Sequence, residues 1–269
     1  FREIVMSKDN VFTPPAPLPG THVPSRDAYE DLCRQADRDP AAFWGKRAQD
    51  LLHWFSPWHT VMDCDLKSGK IGWYLGGKLN VAHNCLDRHV AAGRGDKVAI
   101  LWEGDAEGES RAITYAELQA DVCRFANVLK DLGLKKGDRA CLYLPMIPET
   151  AVAMLACARL GLVHAVVFAG FSSASLADRI NDCEARVLIT SDCVPRAGKK
   201  IPLKASADEA LASCPTVEKV IVVDRGGLDT PMTPGRDIWW HEAMAAPGLE
   251  SSCAAEAMDA EDMLFLLYT

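Results

Sequence analysis

The chain has 269 residues, of which 49% are hydrophobic and 25% are charged, so it can bury the core of one large or two smaller globular domains. Lysine and arginine total 29 against 37 aspartates and glutamates, which gives a net charge of −8. This balance argues against a nucleic-acid partner or an anionic membrane surface, both of which require a basic face, but leaves room for a small anion held by a local cluster of cations.

The amino-terminal third is predicted to lie outside the main core. Residues 1–24 are predicted to be a proline-rich leader, because five prolines fall within TPPAPLPGTHVP and each fixes φ and removes a backbone donor. Residues 25–95 are predicted to be an extension that packs on the core. Its elements are expected to be short aromatic-bearing helices up to Phe55, a strand at 71–75, a Gly76-Gly77 turn and a helix starting near Asn80.

Residues 96–269 are predicted to form an α/β domain, because continuous apolar strands alternate with helices. The expected fold is a doubly wound, mostly parallel sheet with flanking helices. The clearest helix, 114–132, opens with a capping box of Thr114 and Glu117, and Gly133 follows it as a left-handed cap residue. Strands are predicted at 98–102, 139–144, 163–168, 186–191 and 219–224, a helix at 237–246, and a buried strand at 263–268.

The apolar stretch 151–170 resembles a membrane span in length alone. Arg159 and His164 lie in its middle, and an arginine at the centre of a bilayer costs about 2.5–3.5 kcal/mol. A buried helix, a break at Gly161 and a buried strand are therefore predicted, with no membrane partner. The ten cysteines form no C-x-x-C pair and no zinc-type spacing with histidine, and no signal peptide is recognisable, which predicts reduced thiols in a cytoplasmic protein.

Ligands of open parallel sheets bind beyond the carboxyl ends of the strands, and one such strand end leads into Phe168-Ala169-Gly170. Ser172 and Ser173 then lead into a helix, whose amino terminus favours an anion. A tight turn with serine as the helix cap explains the same residues equally well.

A second strand end precedes a cluster of cations. Arg196, Lys199, Lys200 and Lys204 fall within nine residues, and arginine and lysine are the side chains that bind phosphate. A solvated basic loop is the ordinary alternative. Because Ala197-Gly198 would allow a ligand to approach the backbone, an anion site is favoured slightly.

A serine hydrolase is an alternative from a different class of enzyme. Gly170 to Ala174 is one residue short of the G-x-S-x-G elbow, with Ser172 as nucleophile. Asp192 or Asp224 and then His241 would follow in the order of a hydrolase triad. No complete dinucleotide or P-loop fingerprint occurs, so a Rossmann dehydrogenase is disfavoured.

Several stretches are similar to the AMP-forming acetyl-CoA synthetases of the acyl-adenylate ligase superfamily. The resemblance runs from about Tyr29 to Thr269. It is carried by FWG at 43–45, NVAHNCLDRHV at 80–90, ILWEGD at 100–105, the helix at 113–138, LPMIPETAVAMLACARLGLVHAVVFAGFS at 144–172, SDCVPRAGKKIPLK at 191–204, GRDIWWHE at 235–242 and AEDMLFLLYT at 260–269.

The resemblance implies an acetate–CoA ligase that makes acetyl-CoA from acetate, Mg-ATP and CoA through an acetyl-adenylate, releasing AMP and pyrophosphate. It implies an incomplete chain that stops before the phosphate loop, with the catalytic residues and the missing subdomains, its partners within the same protein, beyond Thr269. Alone, this piece is expected to be inactive. A propionyl- or acetoacetyl-CoA synthetase and a stand-alone CoA-binding module remain alternatives.

One binding site of the family falls inside this chain. By resemblance, the CoA nucleotide lies against an RAGR segment and an FGGF turn, which here are Arg196-Ala197-Gly198-Lys199 and Phe168-Ala169-Gly170-Phe171. Lys199 keeps the charge of the family's second arginine but loses its planar fork. Ala169 adds a methyl group where a close approach to the backbone is expected.

Overall fold

A computed structural model describes residues 16–268, and the chain divides into two compact units, Phe1–Leu51 and Leu52–Thr269. The first unit contains helices α1 (Arg26–Arg38) and α2 (Pro40–Leu51), which confirms the predicted short helices. The Ser25 hydroxyl accepts the Ala28 N–H and caps α1. The first fifteen residues of the predicted leader and Thr269 lie outside the described residues, and the predicted domain boundaries stay a prediction.

The second unit begins with short strands, β1 (Thr60–Met62), β2 (Trp73–Leu75) and β3 (Lys78–Leu79). The predicted turn is present, with Gly76 at a φ of 80°. The helix predicted near Asn80 begins at residue 81 and contains the π-helical segments His83–Asp87 and Val90–Arg94. The Asn80 side chain accepts the His83 N–H at 3.2 Å, so it caps this helix.

The remaining elements follow in chain order, and β4 and β5 form an antiparallel hairpin of their own. The strand at 110–114 was not predicted. The elements are β4 (Val98–Glu103), β5 (Ser110–Thr114), α3 (Tyr115–Asp131), β6 (Arg139–Leu144), α4 (Pro148–Leu160), β7 (Val163–Phe168), α5 (Ser173–Cys183), β8 (Val187–Ser191), β9 (Cys193–Arg196), β10 (Lys199–Pro202), α6 (Leu203–Leu211), β11 (Lys219–Val223), β12 (Asp237–Trp239), α7 (Trp240–Met244), β13 (Met258–Asp259) and β14 (Phe265–Leu266).

The core is a six-stranded parallel sheet in the order β12-β11-β8-β6-β7-β14. Buried residues of α3, α4 and α7 pack with Leu142 and Ile189 on one face. Buried residues of α5 and α6 pack with Tyr143 and Leu188 on the other. Helices therefore cover both faces, which confirms the predicted doubly wound α/β fold. The capping box of Thr114 and Glu117 is formed at the start of α3.

Two predictions near the sheet edges were wrong. Residues 237–239 extend the sheet beside β11, so the helix begins only at Trp240, whose ring stacks on Phe125 at 3.9 Å. The strand at 263–268 is short and half-exposed rather than buried, with Phe265 53% and Leu267 74% exposed. It lies at the edge of the sheet, where only the alternate side chains Leu266 and Tyr268 reach the packed core.

Arg159, the charged residue within the apolar stretch, is buried in an ion pair. Its guanidinium donates two hydrogen bonds of 2.8 Å to the Asp87 carboxylate, and its Nε donates to the Cys253 carbonyl at 2.6 Å. The stretch folds as α4, a left-handed cap at Gly161 and β7, as predicted. None of the helices within residues 16–268 is long and apolar enough to cross a bilayer.

Because of this ion pair, we expect the folded protein to lose stability in acid. Burial alone would raise the pKa of Asp87, but the hydrogen bonds and charge of Arg159 outweigh it and hold that pKa below its ordinary value. Because the folded pKa is depressed, the stabilisation is complete above the unfolded pKa of about 3.9 and is lost as the pH falls through the folded value. The unfolding free energies of wild type and Asp87→Asn should differ by a constant amount from pH 7 to about 5 and converge below about 4. A difference that persists unchanged to about pH 2.5 would contradict this assignment.

Candidate functional site

A cavity of about 680 Å³ opens at the carboxyl ends of β6 and β7, beside strands β9 and β10, where ligands of open α/β sheets bind. Both stretches predicted from the sequence meet there. Phe168, Ala169, Gly170 and Phe171 line one side, and Arg196 lines another. The cavity therefore lies at the strand ends that the sequence singled out, and the binding of a ligand there stays a prediction.

Ala197 and Gly198 form the tip of a β-hairpin beside this cavity. Strands β9 and β10 pair antiparallel, with Arg196 opposite Lys199, and the two residues between them have φ values of 50° and 74°. Two left-handed residues in a two-residue connection are the geometry of a type I′ turn, which matches the twist of the strands. The sequence predicts a loop here, and the hairpin was not predicted.

The hairpin presents two cations that have no partner within the part of the chain that the structure describes. No hydrogen bond or ion pair involves the side chain of Arg196 or that of Lys199 among residues 16–268. Like charges opposite each other on neighbouring strands repel. Two adjacent unpaired cations beside a cavity form a site suited to an anion with several oxygens, such as a phosphate.

The other two cations of the predicted cluster are engaged elsewhere. The Lys200 ammonium donates to the Gly226 carbonyl. Lys204 is buried, and its ammonium donates to the carboxylates of Asp208 and Asp237 at 2.8 Å. The prediction of four cations at one anion site is therefore wrong for Lys204, because buried ion pairs hold its ammonium inside the protein.

The turn after β7 is held by hydrogen bonds. The Phe171 N–H donates to the Phe168 carbonyl at 3.0 Å, and the Tyr143 hydroxyl donates to the Phe171 carbonyl at 2.7 Å. A Cβ on Gly170 would lie 2.6 Å from the Phe168 ring, so a larger residue there would displace this ring at the cavity wall.

Asp192 joins the end of β8 to both the hairpin and the turn after β11. It is 1% exposed, and its carboxylate accepts backbone N–H groups from Cys193, Arg225, Gly226 and Leu228 at 2.7–3.0 Å. Burial alone would raise the pKa of Asp192, but these four donors together hold it below its ordinary value. The carboxylate therefore stays ionised and organises two segments that line the cavity.

Four residues of this region were not singled out from the sequence: Trp102, Asp105, Glu109 and Arg225. The Arg225 guanidinium makes two contacts of 2.7 Å with the Glu109 carboxylate and lies 5.2 Å from the centre of the Trp102 ring. The hydrogen bonds from Arg225 hold the pKa of Glu109 below its ordinary value. The stretch ILWEGD had marked this loop as part of a resemblance, but nothing local indicates that it reaches the cavity.

Comparison with known proteins agrees with this architecture. The family model described as "AMP-binding enzyme" matches residues 87–269, more than half of the chain. This chain belongs to that family. A second model, "Acetyl-coenzyme A synthetase N-terminus", matches residues 29–85.

The relatives are acyl-CoA synthetases much longer than this chain. It is 55% identical over 243 residues to acetyl-coenzyme A synthetase 2 of Pseudomonas aeruginosa, covering 90% of this chain and 37% of the relative. It is 56% identical over 235 residues to an acetyl-coenzyme A synthetase of Rubrobacter xylanophilus, covering 87% of this chain and 36% of that protein. The structure of acetoacetyl-CoA synthetase from Streptomyces lividans matches with a TM-score of 0.81 at 29% identity, covering 92% of this chain and 37% of that one.

The proposed hydrolase triad is not assembled in this family member. Ser172 caps α5 by accepting the Ser175 N–H at 3.3 Å. Asp192 is occupied by backbone donors, and Asp224 accepts the Gly227 N–H. His241 lines a different cavity, next to Trp240 and Met244. Within residues 16–268, no group of three or more histidine, cysteine or acidic residues is placed to hold a metal ion.

Proposed function

We propose that this chain is the amino-terminal part of an AMP-forming acetate–CoA ligase and that it supplies the binding site for the CoA nucleotide. In the proposed reaction, acetate attacks the α-phosphate of Mg-ATP to give acetyl-adenylate and pyrophosphate. The CoA thiol then attacks the acyl carbon and releases AMP. The chain would work in the cytoplasm, with acetate, ATP and CoA as its small-molecule partners and residues 25–95 as an extension on its core.

The observation that carries this proposal is the pair of unpaired cations, Arg196 and Lys199, beside the cavity lined by Phe168–Phe171. CoA carries a phosphorylated ribose and a pyrophosphate, and such groups bind to arginine and lysine side chains. The phosphates would meet the hairpin, while the pantetheine arm would run along the small residues Ala169 and Gly170. The lysine at position 199 provides charge without a bidentate fork, so Arg196 would make the stronger contact.

Acetate is favoured over longer acids by the degree of similarity. The chain is 55% identical to an acetyl-coenzyme A synthetase and 29% identical to the acetoacetyl-CoA synthetase of known structure. The propionyl- and acetoacetyl-CoA synthetase alternatives would keep the same CoA site, because they differ in the acid that is activated. A competition assay with acetate, propionate and acetoacetate in the full-length enzyme would separate them.

The CoA site is tested by Arg196→Ala in the full-length enzyme. Loss of a charge-assisted hydrogen-bond partner costs about 1.5–3 kcal/mol, so the KM for CoA should rise about tenfold to a hundredfold. Acetate-dependent pyrophosphate exchange, which needs no CoA, should stay close to the wild-type rate. Both are measured on the same preparation.

Arg94→Ala is the matched control. Arg94 is exposed, makes no ion pair or hydrogen bond through its side chain among the described residues, and is outside the cavity lining. Its removal deletes the same charge from the protein and should leave the KM for CoA unchanged. An unaltered KM in Arg196→Ala, or an equal rise in both variants, would refute the assignment of the site.

A further inference from the structure

The hairpin tip beside the cavity adopts a conformation that its own sequence does not favour. Ala197 has a φ of 50°, in the left-handed region where the Cβ of an L-residue clashes with the backbone. Type I′ turns normally place asparagine, aspartate or glycine at this first position. Gly198 meets the requirement, whereas Ala197 does not, so something outside the hairpin must stabilise the turn.

The stabilising group is the carboxylate of Asp105. One of its oxygens accepts the Ala197 N–H at 3.3 Å and the other accepts the Gly198 N–H at 3.2 Å. These are the two backbone donors of the turn itself. A single side chain 92 residues away in sequence therefore holds both left-handed residues.

The loop that carries Asp105 is itself fixed at both ends. The Gly104 N–H donates to the Glu109 carbonyl, and the Glu109 carboxylate is paired with Arg225. The indole N–H of Trp102 donates to the Met146 carbonyl at 2.8 Å. Asp105 therefore lies on a loop that is held in place by these contacts. Its carboxylate can fix the conformation of the hairpin turn.

We propose that Asp105 is a positioning residue for the CoA nucleotide, because it locks the Ala197-Gly198 turn and so fixes the directions of Arg196 and Lys199. This rests on the proposed function. Without Asp105 the hairpin relaxes toward conformations in which Ala197 leaves the left-handed region. The two cations then no longer meet the same phosphate group at the same time.

The test measures the KM for CoA and the rate of pyrophosphate exchange in the full-length enzyme. Asp105→Ala should raise the KM for CoA about threefold to tenfold, since two hydrogen bonds to a charged acceptor are lost, with kcat and pyrophosphate exchange nearly unchanged. Asp105→Asn keeps one acceptor oxygen and should give a smaller rise. Glu107→Ala removes a charge from the same loop and should have no effect. Glu107 is exposed, and its side chain makes no hydrogen bond or ion pair among the described residues.

A rescue variant distinguishes positioning from general damage. Glycine adopts the left-handed region without steric cost, so Ala197→Gly added to Asp105→Ala should restore most of the lost CoA affinity. A KM for CoA that is unchanged or lower in Asp105→Ala, or that the added glycine fails to restore, would overturn the proposal.

Comparison with Arg196→Ala separates this proposal from the proposed function. If Arg196→Ala has no effect either, the assignment of the CoA site itself is wrong. If Arg196→Ala raises the KM and Asp105→Ala does not, only the role of Asp105 falls.

Discussion

Replacing Asp192 by alanine should lower the free energy of unfolding by about 3–5 kcal/mol, because one buried and three half-buried backbone donors lose their acceptor. An unsatisfied donor costs about 1–3 kcal/mol when it is buried and less where water can reach it. Four backbone N–H groups lose their acceptor in this variant. They belong to the start of β9 and to the turn after β11, so the change loosens the two segments together. Urea denaturation of the 269-residue chain, followed by circular dichroism, measures the effect.

Asp224→Ala is the matched control for this prediction. Asp224 belongs to the same turn, is exposed, and accepts one N–H group, that of Gly227, at 2.9 Å. Its removal should cost less than about 1 kcal/mol, as is usual for a surface hydrogen bond. If both variants lost the same stability, burial of Asp192 and its four donors could not be the cause. The pair also compares the two aspartates that were alternatives for the acidic member of a hydrolase triad.

Replacing Lys204 by methionine should lower the free energy of unfolding by about 1.5–3 kcal/mol, because Asp208 and Asp237 each lose a charge-assisted hydrogen bond but keep their contact with Arg236. The side chain of Asp237 is fully buried and accepts hydrogen bonds from Lys204, from Arg236 and from the Thr233 N–H. Methionine fills the space of the lysine stem but provides no donor. The free energy of unfolding is again obtained from urea denaturation.

Lys199→Met tests whether a lysine in this segment binds an anion or stabilises the fold. Lys199 is exposed and has no ion-pair partner among residues 16–268, so its removal should change the free energy of unfolding by less than about 0.5 kcal/mol. In the full-length enzyme it should raise the KM for CoA, whereas Lys204→Met should act on stability. A stable Lys204→Met variant with weakened CoA binding would restore Lys204 to the anion site.

Elements with strong local patterns were predicted well. Helix α3 has a capping box and a continuous apolar stripe, and the central strands β6, β7 and β8 are mostly apolar, so short-range patterns determine both. The errors lie at the sheet edges. Residues 237–239 became a strand because β11 offered free backbone groups, and residues 263–268 kept one face exposed because β14 is an edge strand. The strand that each of these segments pairs with cannot be predicted from the sequence around the segment.

In the candidate site, too, features that depend on local sequence were predicted and those that depend on distant contacts were not. The rule that ligands bind at the carboxyl ends of parallel strands located Arg196 and the turn at Phe168 from the sequence alone. Asp105 and Arg225 were missed because their contacts span 92 and 116 residues. Nothing in the sequence around an exposed loop carboxylate indicates that it will stabilise a strained turn in a distant segment.

The sequence by itself determined the alternation of strands and helices, the strand ends that line the cavity and the concentration of cations in residues 196–204. These follow from periodicity and composition, which act over a few residues. Only the tertiary structure decided which cations are available. Lys204 is neutralised by Asp237, 33 residues away, while Arg196 and Lys199 stay unpaired on a hairpin held by Asp105. Burial and charge pairing depend on which distant segments meet, so two lysines five residues apart, Lys199 and Lys204, can be an exposed unpaired cation and a buried ion-pair partner.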